Sequence, residues 1–139
     1  MADGTSIIEL HNVGKVFGKG NDRVVALERV NLEVRDGEFT VLIGPSGCGK
    51  STLLYLLAGF AKPTEGQILL DGVTVERPGP DRGFVFQDYA LFPWKTVLGN
   101  VTFGLVNNGW GKREAREIAL EYIDLVNLRG FEHAYPHTL

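Results

Sequence analysis

Eight consecutive residues, Gly44-Pro45-Ser46-Gly47-Cys48-Gly49-Lys50-Ser51, fill every fixed position of the spacing G-x-x-x-x-G-K-[ST]. Glycines at these positions let backbone N–H groups turn inward and approach the oxygens of a phosphate closely. A helix beginning at the end of the run adds the positive end of its dipole, worth up to about 2 kcal/mol in favourable geometry. Lys50 is the expected point charge for β- and γ-phosphates. The Ser51 hydroxyl is placed for Mg²⁺, and Thr52 for another phosphate oxygen. Cys48 occupies a variable position of the run, and its expected part is that of a small residue that fits.

Such a loop needs a strand before it and a helix after it. Phe39 to Ile43 is apolar and β-branched, of strand character, and runs directly into Gly44. From Ser51 to Ala58 the residues tolerate or favour a helix, Gly59 offers a C-terminal cap, and Pro63 forbids continuation.

Elsewhere the chain reads as an ordinary globular domain of 139 residues with 44% hydrophobic content. A net charge of −3 without clustered Lys or Arg argues against a nucleic-acid footprint and against an anionic membrane patch. No segment approaches the roughly 20 apolar residues that span a bilayer. Met1-Ala2-Asp3-Gly4-Thr5 lacks a basic export signal. A single cysteine cannot form an internal disulfide, which agrees with a reducing compartment, and a cytoplasmic location is expected.

The first part predicts antiparallel sheet. Ser6 to His11, Val24 to Leu27 and Val30 to Val34 read as strands, with Gly14 to Asp22 as a loop. Asp36-Gly37 predicts a hairpin joining Val30–Val34 to Glu38–Ile43, and Asp71-Gly72 a second one joining Gly66–Leu70 to Val73–Val75. Pro78-Gly79-Pro80-Asp81 breaks regular structure, and Gly83-Phe84-Val85-Phe86 predicts a short buried strand. Gln87 to Trp94 is a loop rich in large apolar side chains. Thr96 predicts the N-cap of a helix to about Val106, ended by Asn107-Asn108-Gly109. Lys112 to Asn127 predicts an amphipathic helix with Ala115, Ile118, Ala119, Tyr122, Ile123 and Val126 on its apolar face.

Taken in order, Val13 to Phe17, Val25-Ala26-Leu27, Gly37-Glu38, Gly44 to Leu54, Gly59, Pro63, Gly66, Gly72, Phe86-Gln87 and Leu91-Phe92-Pro93-Trp94 resemble the ATP-binding subunit of an ABC (ATP-binding cassette) transporter. The resemblance runs from Ile7 to Leu139. Within the family, the phosphate loop and the Leu-Phe-Pro-Trp run look most like importers of nitrate, sulfonates or taurine. The resemblance implies an α/β fold: a P-loop NTPase (RecA-like) core, an N-terminal antiparallel β subdomain and the start of a helical subdomain. It implies ATP and Mg²⁺ as ligands, held by Phe17 against adenine, by residues 44–52 on the phosphates, and by Ser51 and Gln87 on the metal. Lys50 and Gln87 are its catalytic positions here, Gln87 opening the Q-loop. Tyr89, Leu91, Phe92 and Trp94, within 88–95, would face a short cytoplasmic helix of a transmembrane permease subunit. The remaining implied partners are a second ATP-binding subunit and, indirectly, an extracytoplasmic solute-binding protein. The location implied is the cytoplasmic face of the membrane.

Relatives continue into a Ser-Gly-Gly signature, an apolar strand ending in Asp-Glu, and a switch histidine, none of which residues 1–139 supply. His133 and His137 precede the signature position and read as loop residues, and Asp71 reads as a turn residue. The chain is therefore expected to be a partial nucleotide-binding domain, truncated, with exposed strand edge and apolar faces and with negligible hydrolysis by itself. Two other readings are weighed: a module that binds nucleotide without turnover, which intact Lys50 and Ser51 permit, and a small-molecule kinase. The preceding antiparallel sheet and the Gln87 loop speak against a kinase.

Overall fold

The computed structural model describes residues 5–88 and 90–139, so that Met1–Gly4 and Tyr89 lie outside the described residues. The chain divides into two compact units, Met1–Phe84 and Val85–Leu139.

In the first unit, β1 (Ser6–Phe17) pairs antiparallel with β2 (Val24–Arg35) on one side and β3 (Glu65–Leu70) on the other, and β3 continues to β4 (Val73–Thr74). The sheet order is β2-β1-β3-β4. Leu10 and Val13 of β1 are both buried although an odd spacing should send them to opposite faces. A bulge resolves the conflict: the register shifts between Leu10 and Val13, and Asn12 takes φ +50°. Asn12 and Asn31 replace the lost ladder bonds there, Asn12 N–H donating to Asn31 Oδ1 at 2.9 Å and Asn31 Nδ2 to Asn12 Oδ1 at 3.2 Å.

Helix α1 (Lys50–Leu57) lays Leu53 and Leu56 on the sheet face formed by Leu10, Val13 and Ile68, with Leu27, Val30 and Leu32 of β2 around them. Gly59, at φ +78°, ends it as expected: Phe60 N–H donates to Tyr55 O at 2.9 Å and Gly59 N–H to Leu56 O at 3.0 Å, the paired bonds of a left-handed C-terminal cap. The Asp71-Gly72 hairpin also forms as expected, with Leu70 opposite Val73.

Several expectations fail, each for a reason of pairing. Residues 14–17 belong to β1 rather than to a loop, because Phe17 pairs with Val24 and Val16 with Val25. The two segments expected at 24–27 and 30–34 are one strand, bent where Arg29 takes φ +47°. Asp36-Gly37 makes a turn closed by Glu38 N–H on Arg35 O at 3.1 Å, yet no hairpin ladder follows it. Only Gly37, the second residue of the pair, has positive φ, whereas the type I′ hairpin turn requires it at both and the type II′ turn at the first. Phe39–Ile43 is not a strand, and Phe39 and Ile43 are 91% and 92% exposed. Gly83–Phe86 is likewise neither strand nor buried, Val85 being 95% exposed. Apolar, β-branched composition permits a strand, but a ladder exists only where a neighbour supplies the other half of each hydrogen bond.

In the second unit, α2 (Val97–Asn107) packs on α3 (Lys112–Leu125) through Val97, Leu98, Ala119 and Ile123. Thr96 is the N-cap as expected, its hydroxyl accepting from Gly99 N–H at 3.1 Å. The first amides of α2 are satisfied by the chain's last segment, Val97 N–H on Ala134 O and Leu98 N–H on Glu132 O. Tyr122 and Val126, expected on the apolar face of α3, are exposed, and the helix stops at Leu125. Only Ala115, Ala119 and Ile123 form the buried stripe, which is narrower than the periodicity implies.

Leu56 is 1% exposed and central to the first unit. Leu56→Ala should cost about 2–5 kcal/mol of stability, read as a lowered denaturation midpoint. A change below about 0.5 kcal/mol, the level of ordinary surface substitutions, would contradict this packing.

Candidate phosphate-binding site

The loop 44–49 leads directly into α1, whose N-cap is Gly49 at φ +97°, ψ 0°. That backbone conformation disfavours any side chain, and the surroundings exclude one. A Cβ on Gly49 would stand 2.6 Å from Ala26 O and 2.8 Å from Leu27 Cδ2, so the start of the helix rests on the β2 backbone. Gly44 is closed from within the loop, since a Cβ there would meet Cys48 Sγ at 2.7 Å. Gly47, at φ +81°, faces open space.

No side chain caps α1. Its first intrahelical bond is Leu53 N–H to Gly49 O at 2.9 Å, and the amides of Lys50, Ser51 and Thr52 precede that bond, as first-turn donors do. Lys50 folds back over the loop, its Nζ donating to Gly44 O at 2.7 Å and Pro45 O at 2.6 Å and lying 3.6 Å from Cys48 Sγ. Pro45, Ser46 and Ser51 are exposed. Uncapped first-turn amides, glycines without room for a Cβ and a cation at the loop's mouth form a donor set that fits a phosphate-bearing anion. Among the described residues no carboxylate is hydrogen-bonded to these groups. Among the described residues no group of three or more His, Cys, Asp or Glu gathers.

At the approach to the loop, Glu38 folds onto its own turn. The Arg35 backbone N–H, and then the Thr40 hydroxyl, hold its carboxyl below the usual carboxylate range. Phe17 closes β1, 47% exposed, with Lys15 Nζ 5.1 Å from its ring centroid. Lys15 Nζ also donates to Lys62 O at 2.6 Å. The ring is therefore about half exposed rather than buried.

Phe17 and residues 44–52 belong to the first unit, and Gln87 to the second, where it is exposed. The second unit also carries the apolar loop. Phe92, Pro93, Trp94 and Lys95 form a turn closed by Lys95 N–H on Phe92 O at 3.0 Å. Trp94 is 72% exposed at its apex, and Leu91 and Pro93 are also exposed. Phe92 is partly buried, packing edge-on to Phe103 at 4.6 Å between centroids.

Residues 27–139 match the family described as ABC transporter. The chain belongs to the ABC transporter family. An uncharacterised ABC transporter ATP-binding protein of Methanocaldococcus jannaschii, MJ0412, is 54% identical over 132 residues, 95% of this chain and 49% of that protein. The nitrate import ATP-binding protein NrtD of Synechocystis is 47% identical over 132 residues, 95% of this chain and 50% of its own. The taurine import ATP-binding protein TauB of Burkholderia pseudomallei is 50% identical over 120 residues, 86% and 46% of the two chains. This ABC transporter chain therefore spans about half the length of the curated relatives it matches. Among solved structures, the dimeric ATP-binding cassette MJ0796 in a post-hydrolysis state with ADP and Pi is matched at a TM-score of 0.83 and 34% identity, over 95% of this chain and 62% of that one. The α/β, P-loop NTPase architecture is thus that of ABC cassettes.

Reading the sequence for chemistry passes over Asn100. The one signal it offers is a polar residue of poor helix propensity in the first turns of α2, close behind a proline turn.

Gly49 and Gly47 separate conformation from contact. Gly47→Ala should cost about 1–2 kcal/mol, from positive φ alone, and Gly49→Ala more, because its methyl also strikes Ala26. Equal melting points for the two variants would contradict the close approach to β2.

Proposed function

We propose that this chain is the phosphate-loop-bearing part of a subunit that binds and hydrolyses ATP to drive solute import. The observation that carries the reading is the uncapped start of α1 beneath the Lys50 clip, in a chain of the ABC transporter family. In this reading Phe17 stacks on adenine. The amides of the loop 44–49 and of the first turn of α1 receive the phosphates, with Thr52 adding its hydroxyl. Lys50 exchanges the carbonyls of Gly44 and Pro45 for β- and γ-phosphate oxygens, an ionised acceptor replacing a neutral one. Ser51 and Gln87 are the residues that would hold Mg²⁺, which when bound neutralises phosphate charge. Water attacks the γ-phosphate, and these residues contribute positioning and charge stabilisation rather than covalent chemistry. Residues 1–139 hold the binding half of this equipment, so binding without turnover is the activity assigned to them alone.

The exposed turn at 92–95, within the loop 88–95, is assigned to docking on a transmembrane permease subunit, which would hold the protein at the cytoplasmic face of the membrane. Among the described residues no helix is long and apolar enough to cross a membrane, which is compatible with peripheral attachment through such a partner. A second ATP-binding subunit is supported by the dimeric state of the MJ0796 cassette. Nitrate, sulfonates or taurine are the proposed class of cargo, supported by the 47% and 50% identities to nitrate and taurine import proteins. An extracytoplasmic solute-binding protein would deliver it.

In the full-length protein, Lys50→Ala should weaken ATP affinity about 10- to 100-fold, as expected for a lost charge-assisted bond, and abolish ATP-driven uptake. Unchanged uptake would overturn the assignment of the loop. Trp94→Ala should leave ATP affinity intact while lowering affinity for the permease subunit about 10-fold or more. Normal assembly and uptake in that variant would remove the turn from the docking surface.

A further inference from the structure

Trp94 is held out from the chain, and the group that holds it is a side-chain amide behind the turn. Asn100 Oδ1 accepts from Phe92 N–H at 2.8 Å, while its Nδ2 donates to Phe92 O at 3.2 Å, Lys95 O at 3.1 Å and Thr96 O at 3.0 Å. One partly buried amide therefore satisfies both backbone groups of the first turn residue and the carbonyl of the last. Two N–H hydrogens serving three carbonyls means that at least one is shared. A turn of four residues clamped at both ends has little freedom at its apex, and Pro93 fixes one further dihedral angle.

The surrounding contacts converge on the same segment. The Phe92 ring lies 4.6 Å from Phe103 of α2 and 5.5 Å from Trp94, centroid to centroid. Lys95 Nζ lies 5.2 Å from the Phe103 centroid and 6.0 Å from that of Phe92. Gly99 permits the closeness, since a Cβ there would stand 3.3 Å from Thr96 Oγ1 and 3.4 Å from Lys95 Cβ. The rings are thus anchored on α2 by packing, and the backbone between them by Asn100.

We propose that Asn100 is a positioning residue for partner docking: it clamps the Phe92–Lys95 turn so that Trp94 is presented in its binding conformation before the partner arrives. The inference rests on the reading of this turn as the docking surface. Its physical content is preorganisation. A clamped turn meets an apolar helix without losing loop freedom at the moment of binding, whereas a loose one spends part of the interaction on ordering itself. Asp is not an equivalent of Asn here. Its carboxylate could accept from Phe92 N–H but would face the carbonyls of Phe92, Lys95 and Thr96 with no donor.

The test uses the full-length protein labelled with 5-fluorotryptophan, the Trp94 ¹⁹F resonance being assigned by its loss in Trp94→Phe. Asn100→Ala and Asn100→Asp should both move and narrow that resonance toward the solvent-exposed position. They should weaken association with the permease subunit about 10-fold and leave ATP affinity unchanged. An unmoved Trp94 resonance with unchanged association overturns the role of Asn100 while leaving the docking surface in place. Unchanged association in Trp94→Ala overturns the docking surface and the inference with it. Should the Asn100 variants not fold, hydrogen exchange in the unsubstituted protein decides: the Phe92 amide should be protected at least 10-fold over an unstructured amide, and unprotected exchange there overturns the clamp.

Discussion

The phosphate loop depends on a near-contact of backbones. Helix α1 starts so close to β2 that the Ala26 carbonyl occupies the place a side chain of residue 49 would need, and the backbone of Gly49 lies where side chains are rarely tolerated. That approach aims the start of the helix, and the aim decides where the first-turn amides converge. The bulge at Asn12, the burial of Leu10, Val13 and Ile68 beneath α1, and the left-handed stop at Gly59 all serve to hold α1 on the sheet in that position. Donors that belong to the backbone cannot adjust as side chains do, so the accuracy with which they converge is that of the packing beneath them.

Lys50 illustrates how such a site stays folded around a cation. Its ammonium bridges the carbonyls of Gly44 and Pro45, which satisfies the charge and ties the loop's start to the helix's first turn. In the proposed reading a phosphate would compete for the same ammonium with a full negative charge, through rotation of one flexible side chain. The aromatic turn of the second unit follows a different logic. There the exposed surface is apolar, and the Asn100 amide clamps the backbone behind it.

The features legible from sequence are those whose partners lie within a few residues. The turn at Asp71-Gly72, the caps at Thr96 and Gly59, and the loop 44–51 each close on themselves over two to seven positions, so the residue types name the structure. The segments 39–43 and 83–86 read as strands with equal clarity and are not strands, because neither joins the sheet of the described residues. Phe39, Ile43 and Val85 within them are accordingly exposed.

By itself the sequence determined the glycine loop entering a helix and the family, since such a contiguous loop encodes its own geometry through glycine, lysine and the helix's free amides. Tertiary structure decided what depends on residues far apart. Asn12 finds Asn31 across two strands, Gly49 is constrained by Ala26, and the start of α2 is satisfied by carbonyls at Glu132 and Ala134. It also decided which apolar stretches become strands and which do not. The physical reason is that a turn or cap is a property of local dihedral angles, whereas a ladder, a close approach or a clamp is a property of two segments that only folding brings together.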